Sequence, residues 1–196
     1  TGLMNKVKDC TDGENAFDKF PGTIVDTLSV ILANASGPWA YIYQAHGVAF
    51  NTDGTLSISS VPGILSGSYY IVIRHRQGVE TWSAGPVSFS GTTISYDFSA
   101  SAGMAFGNNV KKISETPAVY GIYSGDVTSS ITGVQDGYID IFDNNAVFNQ
   151  SQLGAFGYLP EDLTGDGFVD LFDMVMVFNN MQGGVGMITP PNPGKK

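Results

Sequence analysis

Residues 161–180 read EDLTGDGFVDLFDMVMVFNN, and residues 125–150 read GDVTSSITGVQDGYIDIFDNNAVFNQ. Aligned on their aspartates, the two stretches match throughout once SSITGVQ of the first is set against Gly165 of the second. This is an internal repeat, one supersecondary unit written twice. In the second copy Asp162, Thr164, Asp166, Asp170 and Asp173 fall at positions 1, 3, 5, 9 and 12 of a twelve-residue loop, with Gly167 at position 6 and Phe168 at position 7. In the first copy the same places are taken by Asp126, Thr128, Asp136, Asp140 and Asp143, with Gly137 and Tyr138.

That spacing is the ligand spacing of the EF-hand calcium loop. A hard cation that takes six to eight oxygens needs a chain coiled around it, so ligands come from alternate residues, with Tyr138 and Phe168 each supplying a backbone carbonyl. Glycine at position 6 permits the sharp turn that a side chain would resist. Two Ca²⁺ ions are therefore expected. Thr at position 3 and Asp at position 12 reduce the charge and reach of the ligand set, which moves affinity towards about 10⁻⁶–10⁻⁴ M. The insertion in the first loop can bulge outward, since closing a longer loop costs only about 0.6 kcal/mol per doubling of its length. From Ile113 to Gly194 there is no Lys, Arg or His against ten carboxylates, so the loop carboxylates would repel one another without a cation. After each loop a short apolar helix is expected, over 143–150 and 173–180. Ile141 and Phe148 share a face, as do Leu171 and Phe178, and these faces are expected to pack together as a pseudo-twofold unit.

Upstream the pattern changes to short runs rich in β-branched and aromatic residues: TIVDTLSVILAN from Thr23, WAYIYQAHGVAF from Trp39, TLSISSV from Thr55, SYYIVIRHR from Ser68, PVSFS from Pro86 and TTISYDFSA from Thr92. Turn signals separate them, among them Ser36-Gly37-Pro38, Thr52-Asp53-Gly54 and Gln77-Gly78. The fold class expected is mostly β, an antiparallel β-sandwich of six or seven strands followed by the small helical unit. In SYYIVIRHR, Tyr69, Ile71, Ile73 and His75 share one face and Tyr70, Val72, Arg74 and Arg76 the other. The domain reading is an N-terminal arm or loop over 1–22, a sandwich over 23–117, a calcium unit over 118–183 and a Pro/Gly-rich tail over 184–196.

The net charge of −9 argues against nucleic acid as a partner, because gripping phosphates needs clustered Lys and Arg. No run reaches the roughly 18–20 apolar residues of a membrane helix. The single Cys10 cannot form an internal disulfide, and is expected as an unpaired thiol in a mobile N-terminal segment or in an intermolecular pair. Beginning at Thr1, the chain reads as a mature product or a fragment of a longer precursor. His46 and His75 read as strand residues, and no nucleophile elbow, P-loop or dinucleotide fingerprint occurs, so an enzyme is not expected. Trp39, Tyr41, Tyr43 and Trp82 are candidate sugar-stacking residues if the domain binds carbohydrate.

The duplicated loop–helix resembles a type I dockerin. With YYIVIRHRQGVETWS (69–83), AFGNN (105–109), VYGIYSGDV (119–127) and EDLTGDGFVD (161–170), the chain is similar to a C-terminal module of large secreted bacterial surface proteins. The resemblance implies export, calcium and a role at the cell surface or in the secreted fraction. It leaves two kinds of partner open: further copies of the chain in a fibre, or another surface protein, as when a dockerin meets a cohesin-like receptor. In that family an apolar strand precedes the segment matching Gly2–Met4, which implies an open sandwich edge and assembly by donated strands.

Overall fold

The computed structural model describes residues 4–59, 61–128 and 134–190. The described chain is mostly β and its sheets are antiparallel. Two short strands, β1 (Lys8–Cys10) and β2 (Ala16–Asp18), form a hairpin. The main sheet contains β3 (Ile24–Asn34), β4 (Tyr41–Asn51), β5 (Ser68–His75) and β6 (Gly78–Trp82) in the order β4-β3-β5-β6, with β7 (Val87–Ser88) also pairing β5. A second hairpin joins β8 (Lys111–Glu115) to β9 (Ala118–Gly121). Helices α1 (Ile141–Gln152) and α2 (Leu171–Gln182) close the fold.

β3 is the centre of the sheet. It pairs along its length with β4 on one side and over Ser29–Asn34 with β5 on the other, and Ile31, Leu32 and Ala33 are almost completely withdrawn from water. Its run of Ile, Val and Leu suits a strand covered on both faces. On one face Ile31, Ala33, Tyr70, Val72 and Trp82 form a cluster, with Trp39 and Phe106 packed against it. Arg74 lies on this face and pairs with Glu80, whose Oε1 also accepts from Tyr41 Oη at 2.8 Å and Trp82 Nε1 at 2.7 Å. Trp82 is buried, which removes one of the four candidate sugar-stacking aromatics, while Tyr41 stays partly exposed with its hydroxyl tied to Glu80.

Several elements differ from expectation. Thr55–Val61 and Thr92–Ala100 have no strand among their described residues. Asp53 takes the N–H and hydroxyl of Thr55, and Asp97 those of Ser99. These local turns satisfy backbone groups that a ladder would otherwise use. The segment 4–22 is not a plain arm, because its β1–β2 hairpin is tied by Lys6 and Lys8 to Asp18 and by Lys19 to Asp9. Cys10 is buried in that hairpin, with Sγ 3.5 Å from Asp12 Oδ1. β6 was hidden in the sequence by Glu80, a charge in an otherwise buried strand, and here that charge is fully partnered. The β8–β9 hairpin spans residues 117 and 118, where the sequence places a domain boundary.

The helical unit has a core of its own. Its buried members are Val127 and Leu163, Ile139 and Val169, Val147 and Val177, three pairs of equivalent repeat positions, plus Val79 supplied by β6. Each repeat is also clasped by the segment that follows the other's helix. Val169 N–H donates to Ala155 O and Gly157 N–H to Gly167 O, while Ile139 N–H donates to Val185 O and Met187 N–H to Gly137 O. The pseudo-twofold arrangement is therefore present, but its packing faces are not the expected ones. Val147 and Val177 point inward, whereas Ile141, Phe148, Leu171 and Phe178 are between 43% and 65% exposed. Both helices mix apolar and polar residues, and the side that turns inward is the one carrying Val147 or Val177, which joins a core that also takes Val79 from β6.

Candidate metal centre

Both loops enter their helices in the same way. Asp140 caps α1 by accepting from Phe142 N–H, and Asp143 returns a bond to Asp140 N–H; Asp170, Phe172 and Asp173 repeat this at α2. This reciprocal capping satisfies donors that a helix start leaves free, so each helix begins earlier than the expected 143 and 173.

Four carboxylates form the floor of the two loops. Asp126, Asp143, Asp162 and Asp173 are at most 1% exposed, and no salt bridge to any of them occurs among the described residues. Each is held by backbone donors. Asp162 accepts from Gly165, Asp166 and Gly167 at 2.8–3.1 Å, and Asp173 from Thr164 and Asp170 at 2.8 Å. In the first loop Asp126 accepts from Asp136 and Gly137, and Asp143 from Val127, Thr128 and Asp140. Gly137 and Gly167 have φ of 89° and 93°, the left-handed turn expected at position 6. Around each buried pair lie an exposed Asp136 or Asp166 and a half-buried Asp140 or Asp170.

Burial and mutual repulsion dominate the electrostatics. Desolvation, with the neighbouring Asp143 and Asp136, pushes Asp126 up to about 7. Desolvation, with Asp173 and Asp166, pushes Asp162 up to about 6. Asp143 and Asp173 are raised as well, again chiefly by burial. Ionised carboxylates buried without a counter-charge are costly, and a divalent cation is the partner that this all-oxygen donor set suits. Among the described residues no three His, Cys, Asp or Glu side chains converge as a ready-made ligand cluster. An ion would thus draw on mixed oxygens. In the second loop these are Asp162, Thr164, Asp166, Asp170, Asp173 and the Phe168 carbonyl; in the first, Asp126, Thr128, Asp136, Asp140, Asp143 and the Tyr138 carbonyl. Residues 129–133 of the first loop's insertion lie outside the described residues.

The sequence did not reveal what surrounds the loops. The β1–β2 hairpin lies over the second loop: Lys8 N–H donates to Gly165 O at 2.8 Å, and a Cβ built on Gly167 would meet Ala16 and Lys8 at 3.3 Å. Residues 185–188 lie over the first loop and are held by Asn109 Nδ2 donating to Gly186 O at 3.0 Å. A signal for the second contact was available, since LGAFG at 153–157 and GGVGM at 183–187 extend the repeat beyond the helices. The unit is also bonded to the main sheet. Tyr158 Oη donates to Asp26 Oδ1 at 2.5 Å, His75 Nε2 lies 3.1 Å from Asp26 Oδ2, and Arg76 reaches Leu159 O while stacking 4.2 Å from the Tyr158 ring.

In structural class, then, this is an antiparallel β domain joined through shared core and polar contacts to a duplicated loop–helix unit. No protein-family model matches the chain, and no curated protein matches it. Among solved structures, a chain from the crystal structure of a C-terminal interface mutant of a type II cohesin–X-dockerin complex from Acetivibrio cellulolyticus is similar over 95% of this chain and 94% of its own. The identity is 18% and the TM-score 0.45, a likeness that says nothing of what this chain binds.

Proposed function

We propose that the chain is a non-catalytic docking module whose helical unit is locked by two calcium ions and offers the outer faces of its helices to another surface protein. One observation carries the reading: Ile141, Phe142 and Phe148 on α1, with Leu171, Phe172, Val175 and Phe178 on α2, are 43–69% exposed. Helix faces this apolar are unusual on a free surface and mark interaction sites. The acidic surroundings, lacking any Lys, Arg or His from 113 to 194, favour a partner with an apolar groove and a basic rim. Calcium fits the same scheme, because ions in the loops would fix both helix starts and hold those faces in register. Millimolar calcium outside the cell would saturate sites of micromolar to submillimolar affinity, so a calcium-locked module fits an extracellular setting. The two histidines serve structure in this reading, His46 bonded to Ser29 and His75 to Asp26.

The test is calcium-dependent capture from the surface-protein fraction, followed by titration against the purified partner. Phe172→Glu is expected to weaken binding by a factor of about 100 or more, as loss of an interface anchor does, while leaving calcium uptake intact. Capture unchanged by Phe172→Glu and by Phe142→Glu would remove the helix faces from the proposal.

A further inference from the structure

The insertion that lengthens the first loop leaves a gap in its internal bonding, and one side chain spans it. In the second loop Gly165, Asp166 and Gly167 all donate backbone N–H groups to the carboxylate of Asp162. In the first loop Asp136 and Gly137 do the same for Asp126, but Gln135, which precedes Asp136 as Gly165 precedes Asp166, makes no such bond among the described residues. Its side chain takes another route. Gln135 Nε2 lies 2.6 Å from Asp126 O, 2.9 Å from His75 O and 3.1 Å from Gly78 O, so its amide hydrogens are shared among three carbonyls. His75 and Gly78 are the paired residues that close the β5–β6 turn. Within that turn Gln77 O accepts from Gly125 N–H at 2.7 Å. The main sheet therefore holds the first loop at two points, just before Asp126 and just before Asp136.

We infer that Gln135 is a positioning residue of the first calcium site, through which the main sheet sets that site's affinity. The inference rests on the calcium reading of the two loops. Between the first and third ligands the chain runs through 127–135 in the first loop, against 163–165 in the second. A longer closed segment costs more entropy to bring to one geometry. By bonding Asp126 O, Gln135 returns the chain to its starting point, so that Asp136 arrives beside Asp126. The second loop needs no such device, since Gly165 bonds Asp162 directly and its own carbonyl accepts from Lys8 of the N-terminal hairpin. Gln135 is not itself in the ligand set. It acts through Asp126 and Asp136, in the way that outer partners fix the orientation of metal ligands. The two sites are thereby unequal, the first leaning on the β5–β6 turn and the second on the β1–β2 hairpin.

Calorimetric calcium titration of the full chain tests it, with each loop isolated in turn: Asp166→Ala leaves the first loop's binding event and Asp136→Ala the second's. Gln135→Met keeps the length of the side chain and removes its donor. In the Asp166→Ala background it is expected to weaken the first loop's calcium affinity at least about tenfold, and in the Asp136→Ala background to leave the second loop's affinity unchanged. A merely structural role for Gln135 would weaken both events together. Gln135→Ala gives the same comparison where the Met variant melts differently in saturating calcium. Calcium uptake that the Gln135 variants leave unchanged, or weaken equally at both loops, overturns the inference while the calcium reading stands. A wild type that takes up no calcium overturns both.

Discussion

Tyr158, in the segment entering the second loop, donates its hydroxyl at 2.5 Å to Asp26 of β3, a carboxylate that is only 5% exposed. Asp26 is held below the usual carboxylate range by His75, Tyr158 and Thr27 against the opposing effect of burial. Tyr158 therefore links the sheet to the helical unit. Replacing it with Phe leaves a buried carboxylate short of a donor, and is expected to destabilise the chain by about 1–3 kcal/mol. Urea unfolding of Tyr158→Phe beside wild type measures this, and a change well under that range would show the link to be idle.

Val147 and Val177 are completely buried at equivalent places in the two repeats. Val177→Ala deletes two methyl groups from a core with little room to collapse, and is expected to cost about 2 kcal/mol. Phe178→Ala next to it, 47% exposed, is expected to change stability by less than half as much. Thermal melts of the two variants discriminate the packed face from the outward one.

The raised carboxylates predict a pH dependence. Asp126 at about 7 and Asp162 at about 6, with Asp143 and Asp173 also raised, bind protons more tightly folded than unfolded, where the reference is 3.8. Their contribution to stability is complete below about 3.8 and is lost as pH rises through the folded values. In chelator, the helical unit is thus expected to loosen between pH 4 and about 7, opposite to the acid loss expected from the lowered Asp26. Calcium is expected to abolish that neutral-side loss and to release protons on binding near pH 6. Chelator melts across this range, with and without added calcium, decide the matter.

Calcium at about 100 times its dissociation constant would stabilise the fold by roughly 2.7 kcal/mol per occupied site. Chelation is expected to expose residues 118–183 to protease before the main sheet. Asp166→Ala removes an exposed carboxylate that would ligate calcium in the second loop without touching its buried floor, and is expected to eliminate one of two calorimetric binding events. Two unchanged events, or none in wild type, would count against the loop assignment.

Gly167 sits at φ 93° with Ala16 and Lys8 of the N-terminal hairpin 3.3 Å from where a Cβ would be. Gly167→Ala meets both a disfavoured backbone region and that contact, and is expected to cost at least about 1 kcal/mol. Amide exchange should show the β1–β2 hairpin loosening together with the loop.

Legibility in the sequence followed the locality of the causes. β3, β4 and β5 stood out because Ile, Val, Leu and Tyr recur in runs bounded by Gly and Pro, and the loops because ligand spacing is a local property. The helix starts were also local, although Asp140 and Asp170 moved them earlier by acting as caps. The inward side of α1 and α2 faces a core that also draws on Val79, Val127 and Leu163 from other segments, contacts that the helices' own sequence does not contain. Likewise Asp9, Asp26 and Tyr158, separated along the chain, meet only after folding. Thr55–Val61 and Thr92–Ala100 misled because strand-like composition was overruled by turns at Asp53 and Asp97.

The exchange in which the segment after α1 pairs with the second loop, and the segment after α2 with the first, makes each half of the unit the template for the other. A chain carrying one copy would expose both an unmatched loop and an unmatched tail, and would be complete only when two such chains met. The present gene encodes that meeting within one polypeptide, where the partner is always at hand however dilute the protein becomes.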